Sequence, residues 1–188
     1  NDQSLVYAID SGDYYGIANP EFMGEVERFA DWLEEQPDVS VVGSYVGMLK
    51  NLNKAENGND EAWHKLPEDN LQVIDYLVSY QLVQEIEPHL SPIFDPEYTT
   101  VRITAGTSNL SNVQLLNLNR RIEAWYQENL NPKYRVLHGN NSILYARLND
   151  TISRQLLEGF TVSFLLITLT MLVGLRSLRY GLISIAPN

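Results

Sequence analysis

The chain has 188 residues, no cysteine, and 24 acidic against 13 basic residues, a formal charge of −11 at neutral pH. Without thiols there is neither a disulfide framework nor a thiolate metal site. The acidity argues against nucleic acid, whose phosphates require clustered Lys and Arg, and the only adjacent basic pair is Arg120-Arg121.

Residues 1–150 hold 23 of the acids and 10 of the bases, a formal −13, whereas the last 38 residues are net positive. His64, His89 and His138 stand far apart, without HxxxH or HExxH spacing, so neither a metal nor a cofactor is expected. Ser11, Ser44 and Ser142 lie in no GxSxG context, and no enzyme activity is expected.

In chain order, "LVYAID" at 5–10 alternates Leu5, Tyr7 and Ile9 with Val6, Ala8 and Asp10 and ends in a Ser-Gly-Asp turn, the pattern of a strand. Asn19-Pro20-Glu21 reads as a helix start, with an Asn cap, Pro at the first helical position and an acid at the positive end of the dipole. Phe22, Val26, Phe29, Ala30 and Leu33 follow at helical spacing until Pro37, and "DVSVVGSYV" at 38–46 is the next expected strand.

The same order returns after an insertion of about 47–98. "TTVRITAG" at 99–106 puts Val101, Ile103 and Ala105 on one strand face, and Ser111 with Gln114 forms a capping box. Leu115, Leu118, Ile122 and Trp125 then make a helical stripe, and "KYRVLHG" at 133–139 is a fourth strand. Two strand-helix-strand units of similar length predict an α+β, ferredoxin-like split fold, a four-stranded antiparallel sheet with two helices on one face.

Within the insertion, "NKAENGNDEAWHKLPEDN" reads as polar loop, Asp69 starts a helix with apolar residues at Leu71, Ile74, Leu77, Val78 and Leu82, and Pro88, Pro92 and Pro96 favour extended chain over 88–97. So long an insertion is expected to be structured and to touch something.

Gly159 to Leu175 is 17 residues without a charge, about 25 Å of helix, and Leu156 and Leu157 extend it toward the roughly 30 Å of a hydrocarbon core. A transmembrane helix is expected, with Arg176 and Arg179 marking its cytoplasmic end and the acidic domain on the outer side. Gly159, Ser163, Thr170 and Gly174 share one side of the helix and form a candidate packing stripe for a neighbouring helix. "YGLISIAPN" is apolar again after a short turn, as the start of a second membrane segment would be. The resulting division is a folded domain over 1–148, a transmembrane helix with its lead-in over 149–178, and a second segment from 179 to 188. Lacking an initiating Met and stopping in an apolar run, the chain is expected to be a segment of something longer.

The stretches "AIDSGDYYGIANPEFMGEVERFADWLEEQPDVSVVGS", "LKNLNKAENGNDEAWHKLP" and "LRSLRYGLISIAPN" resemble the resistance-nodulation-division (RND) superfamily of exporters, in particular the bacterial branch related to MMPL proteins and Patched. The resemblance spans essentially the whole chain and implies a second extracytoplasmic porter domain followed by its transmembrane helix. It further implies proton-driven export of hydrophobic or amphiphilic molecules such as lipids or drugs, from a multi-pass protein of the bacterial inner membrane with residues 1–148 on the periplasmic side. Its partners would be the lipid bilayer, the remainder of the same transporter chain, a hydrophobic or lipid-like substrate and, in a homo-oligomer, neighbouring subunits. The family's proton-relay acids belong to a later helix, and no Asp or Glu lies between Gly159 and Asn188.

The competing expectation is a single-pass, membrane-tethered sensor or adaptor that binds a ligand or protein outside. Tyr14, Tyr15, Trp63, Tyr76, Tyr80 and Phe94 are candidates to line a hydrophobic cleft or to serve in core and interface packing. The insertion, which holds four of them, is expected to contact the partner porter domain or a neighbouring subunit.

Overall fold

The computed structural model describes residues 2–87, 92–108, 110–139 and 141–175. Strand β1 (Asp2–Asp10) leads to helix α1 (Pro20–Glu34), strand β2 (Val39–Ser44), helices α2 (Tyr45–Glu56) and α3 (Asn70–Ile86), strand β3 (Thr100–Ser108), helix α4 (Asn112–Asn129), strand β4 (Arg135–His138) and helix α5 (Asn141–Leu175). The sheet order is β2-β3-β1-β4 with every pairing antiparallel, the arrangement of the ferredoxin-like split βαβ fold. Division by contacts falls between Leu144 and Tyr145, inside α5.

Strand alternation decides which face is packed. Leu5, Tyr7 and Ile9 of β1 and Val101, Ile103 and Ala105 of β3 are buried beneath α1 and α4, whose buried stripes are Phe22, Val26, Phe29 and Leu33, and Leu115, Leu118 and Ile122. Tyr7 joins both helices to the sheet: its ring meets Phe29 edge-on at 6.1 Å and its hydroxyl donates to Asn119 Oδ1 at 2.9 Å. Each such fully buried large side chain contributes about 1.5–3 kcal/mol, which makes this face the thermodynamic centre of the domain.

The local signals act as their chemistry dictates. Asn19 accepts from the Glu21 amide at 2.8 Å ahead of Pro20, Asp69 accepts from the Leu71 amide at 3.0 Å, and Ser111 and Gln114 close a reciprocal capping box. Arg135 holds the β4 edge to β1 through Asp10 at 2.6 Å.

Two expectations need correction. The strand at 38–46 ends at Ser44, because the Ser44 hydroxyl accepts from the Gly47 amide at 3.1 Å and caps a helix that takes Tyr45 and Val46 into its first turn. The polar stretch after it is helical as far as Glu56. Buried Asn53 then fixes the following loop, its side-chain amide donating to the carbonyls of Trp63 (3.2 Å) and Lys65 (2.9 Å). In α3 the buried residues are Val73, Tyr76 and Leu77, while Leu71, Val78, Leu82 and Ile86 are exposed. Of the proline-rich stretch, 88–91 lies outside the described residues.

Ile143–Thr170 of α5, 28 residues, is long and apolar enough to cross a membrane. The hydroxyls of Thr161, Thr168 and Thr170 donate back to the carbonyls of Leu157, Phe164 and Leu166 at 2.8–2.9 Å, so they present no unsatisfied donor to an apolar surrounding.

Candidate functional site

The sheet face opposite α1 and α4 is also partly apolar. Val6 and Ala8 of β1 alternate with the core residues, and Leu137 of β4 stands directly across from Ala8. An antiparallel sheet exposed to water on that side would carry polar residues there.

Above this face lies the segment 92–99, folded back on the start of β3. Its Ile93 carbonyl accepts from the Arg102 amide at 2.6 Å, the Asp95 amide donates to the Thr100 carbonyl at 3.1 Å, and Phe94 bridges Val101. The Asp95 carboxylate takes the amides of Thr99 and Thr100 on one oxygen, at 2.8 and 2.7 Å, and the Thr99 hydroxyl on the other at 2.9 Å. From the opposite side both the amide and the hydroxyl of buried Ser11 donate to the Thr99 carbonyl, at 2.8 and 2.7 Å. The Ile17 amide donates to the Tyr98 carbonyl at 3.2 Å. The segment is therefore pinned along its length.

Between it, the open sheet face and the last turns of α3 is a cavity of about 840 Å³. Val6, Ala8, Ile93, Phe94, Val101 and Leu137 supply its apolar lining, with Gln81, Gln84, Glu85, Asp95 and Arg102 as polar lining residues. A second cavity of about 640 Å³ lies between β2, α2 and Tyr80 and shares Ile93 and Arg102 with the first. Arg102 is not without a partner of its own.

The aromatic candidates divide. Phe94 lines the larger cavity and Tyr80 the smaller, their rings 5.6 Å apart. Tyr76 is a packing residue. Its hydroxyl donates to Glu56 at 2.9 Å and accepts from Gln72 at 2.7 Å, and burial, with Glu56 beside it, raises its pKa. Trp63 is half exposed under the Lys65 ammonium, Tyr14 is exposed, and Tyr15 stacks on Tyr98. Burial also raises the pKa of Tyr98, whose hydroxyl is hydrogen-bonded to Gln81.

Sequence reasoning missed Val6, Ala8, Ile93 and Leu137. The signal was present in "LVYAI", which is apolar on both strand faces where a one-sided sheet would alternate.

Among the described residues no group of three His, Asp or Glu is placed to hold a metal. His64 lies 3.2 Å from Asn51 Oδ1 and His138 2.9 Å from the Tyr126 hydroxyl, while His89 is outside the described residues. Of the packing stripe, Gly159, Ser163 and Thr170 lie on α5 and Gly174 falls within its range; Arg176 and Arg179 are outside the described residues. No family model matches the chain, and a search of the curated proteins finds no match.

Proposed function

We propose that this chain is part of an RND-type, proton-driven transporter that exports hydrophobic or amphiphilic molecules, with the ferredoxin-like domain on the periplasmic side of a bacterial inner membrane. The observation that carries the reading is the run of chain from β4, which ends at His138, into α5, which begins at Asn141 and contains a stretch able to cross a membrane. A short connection of this kind ties a strand of the sheet to the membrane helix, so a movement of one is communicated to the other. The apolar cavity on the open sheet face gives the domain a surface for a water-averse cargo. The resemblance quoted above supplies the energy source, since the coupling acids of that superfamily belong to a later helix.

Two measurements test the reading. The coding sequence beyond Asn188 should contain several more hydrophobic segments and an intramembrane acidic pair. The complete protein in proteoliposomes should move a fluorescent hydrophobic dye under an imposed proton gradient, and a protonophore should stop it. A reading frame that ends shortly after Asn188, or continues into a cytoplasmic signalling domain, would favour the tethered sensor instead.

A further inference from the structure

We infer that Tyr14, Tyr15 and Glu97 form a surface binding site for a quaternary ammonium group. The site stands where the turn after β1 meets the 92–99 segment, and none of its three residues lines the apolar cavity. The inference goes beyond the transport reading and does not rest on it.

Ring geometry comes first. The Tyr14 and Tyr15 ring centroids are 4.7 Å apart with their planes at 89°, so two electron-rich faces stand at a right angle. A cation seated in that angle is attracted by both. Tyr14 is 71% exposed and Tyr15 40%, so a solute reaches them from water. Behind them Tyr98 stacks on Tyr15 at 4.8 Å and gives the corner an apolar backing.

Glu97 adds the opposite charge. The Tyr14 pKa is raised by Tyr15 foremost and by Glu97 as well, and that of Tyr98 by burial foremost and by Glu85 as well, so two carboxylates face the three rings. The neighbouring base, Lys133, is held by Asp13 at 2.6 Å. Trp63 makes the contrast: it too is half exposed, but the Lys65 ammonium already lies 5.5 Å from its ring centroid. Among the described residues no cation lies over Tyr14 or Tyr15 in this way. A quaternary ammonium suits the corner because it has no N–H to leave unpaired against a ring face, and its methyl groups bring apolar contact.

The corner is also fixed in advance. The Gly16 amide donates to the Asp13 carbonyl at 2.9 Å, the Ala18 amide to the Tyr15 carbonyl at 3.1 Å, and the Ile17 amide to the Tyr98 carbonyl at 3.2 Å. Tyr15 and Tyr98 both keep left-handed backbone, which bulky residues hold only where their surroundings over-determine it and which recurs at ligand clamps. Binding therefore has little ordering of the protein to offset.

The test titrates choline into the 188-residue chain in uncharged maltoside micelles, with isotope-labelled tyrosine rings and sodium chloride exchanged for choline chloride at constant ionic strength. Saturable shifts of the Tyr14 and Tyr15 ring signals are expected, with Kd on the order of 1 mM. The neutral carbon isostere of choline, 3,3-dimethylbutan-1-ol, should bind at least about tenfold more weakly. Tyr14→Leu should weaken choline at least about tenfold and Glu97→Gln about threefold, whereas Tyr14→Phe keeps the ring face and should stay within about twofold. Trp63→Leu should change nothing. Nuclear Overhauser contacts from the choline methyl groups to the Tyr14 ring of the wild type place the site even if a variant unfolds.

Glycerophosphocholine presents the same cation beside a phosphate, as a lipid headgroup does. Binding weaker than that of choline assigns the site to a free cation, and tighter binding assigns it to a headgroup. Shifts that do not saturate, equal binding of the alcohol, unchanged affinity in folded Tyr14→Leu, or contacts at Trp63 in place of Tyr14 would overturn the inference.

Discussion

Tyr15 and Tyr98 stack with ring centroids 4.8 Å apart and 16° between planes, and both hold left-handed backbone, with φ of 56° and 55°. A bulky side chain at positive φ costs roughly 1–2 kcal/mol, so two such residues in contact mark a turn held by its surroundings and not by local preference. The stack continues through Tyr98 to Phe94, at 5.5 Å, and so into the cavity wall. Tyr15→Gly and Tyr15→Ala remove the same ring contact, but only Gly relieves the backbone. The glycine variant should therefore be more stable than the alanine variant by about 1 kcal/mol in urea unfolding. Equal stabilities would show that the left-handed geometry carries no cost here.

Gly16 sits against Ser11 so closely that a β-carbon on it would lie 2.2 Å from the Ser11 hydroxyl oxygen and 2.7 Å from its β-carbon. Ser11 cannot step aside without losing its bond to the Thr99 carbonyl. Gly16→Ala should destabilise by about 1–3 kcal/mol, the usual cost of overpacking. Ser11→Gly should lose about 1 kcal/mol with the hydrogen bond, yet the double variant should be less destabilised than the sum of the two. A double-variant cycle by chemical denaturation measures the difference, and strict additivity would refute the steric account.

The fold was legible wherever a side chain acts on its own neighbourhood. The Asn19, Asp69 and Ser111 caps and the alternation of Leu5, Tyr7 and Ile9 each carry their meaning within a few residues. Tyr45 and Val46 misled because β-branched and aromatic residues favour strands, while the deciding interaction is a single hydroxyl at Ser44. The cavity was harder to read. Its walls come from residues 6–8, 81–85, 92–102 and 137–139, and only the folding back of 92–99 onto β3 brings them together. Phe94 and Tyr80 could be flagged as aromatic, but nothing local distinguishes them from Tyr76, which packs into the domain.

Tyr45 should make the domain sensitive to alkali. Its ring is fully buried and meets the Phe94 ring edge-on, its hydroxyl donates to the Ile17 carbonyl at 3.0 Å, and burial pushes its pKa well above the ordinary value near 10. The unfolded chain releases this proton first. Stability is thus fully present below pH about 10 and falls as pH rises toward the folded-state value. Tyr45→Phe should cost about 1 kcal/mol at neutral pH through the lost hydrogen bond, yet show a shallower loss of stability between pH 9 and about 11.5. Tyr76, Tyr98, Tyr126 and Tyr134 are also raised by burial, so the slope should shrink without vanishing. Parallel pH profiles for variant and wild type would count against Tyr45 as a source.

Membrane insertion of α5 should hinge on its charge-free part. Leu165 lies near the middle of the stretch that follows Glu158, and Leu156, Leu157, Phe160 and Leu166 around it are exposed from the rest of the chain. A lysine at the centre of a spanning helix costs about 2.5–3.5 kcal/mol on the insertion scale, enough to compete with a segment that already carries Arg147, Asp150, Arg154 and Glu158. Leu165→Lys should move much of the chain from the carbonate-resistant membrane fraction to the extractable one. Leu165→Ala should move little, and Thr168→Val least, since the Thr168 hydroxyl is already satisfied by the Phe164 carbonyl. If Leu165→Lys fractionates like wild type, α5 does not meet a hydrocarbon core through this part of the helix.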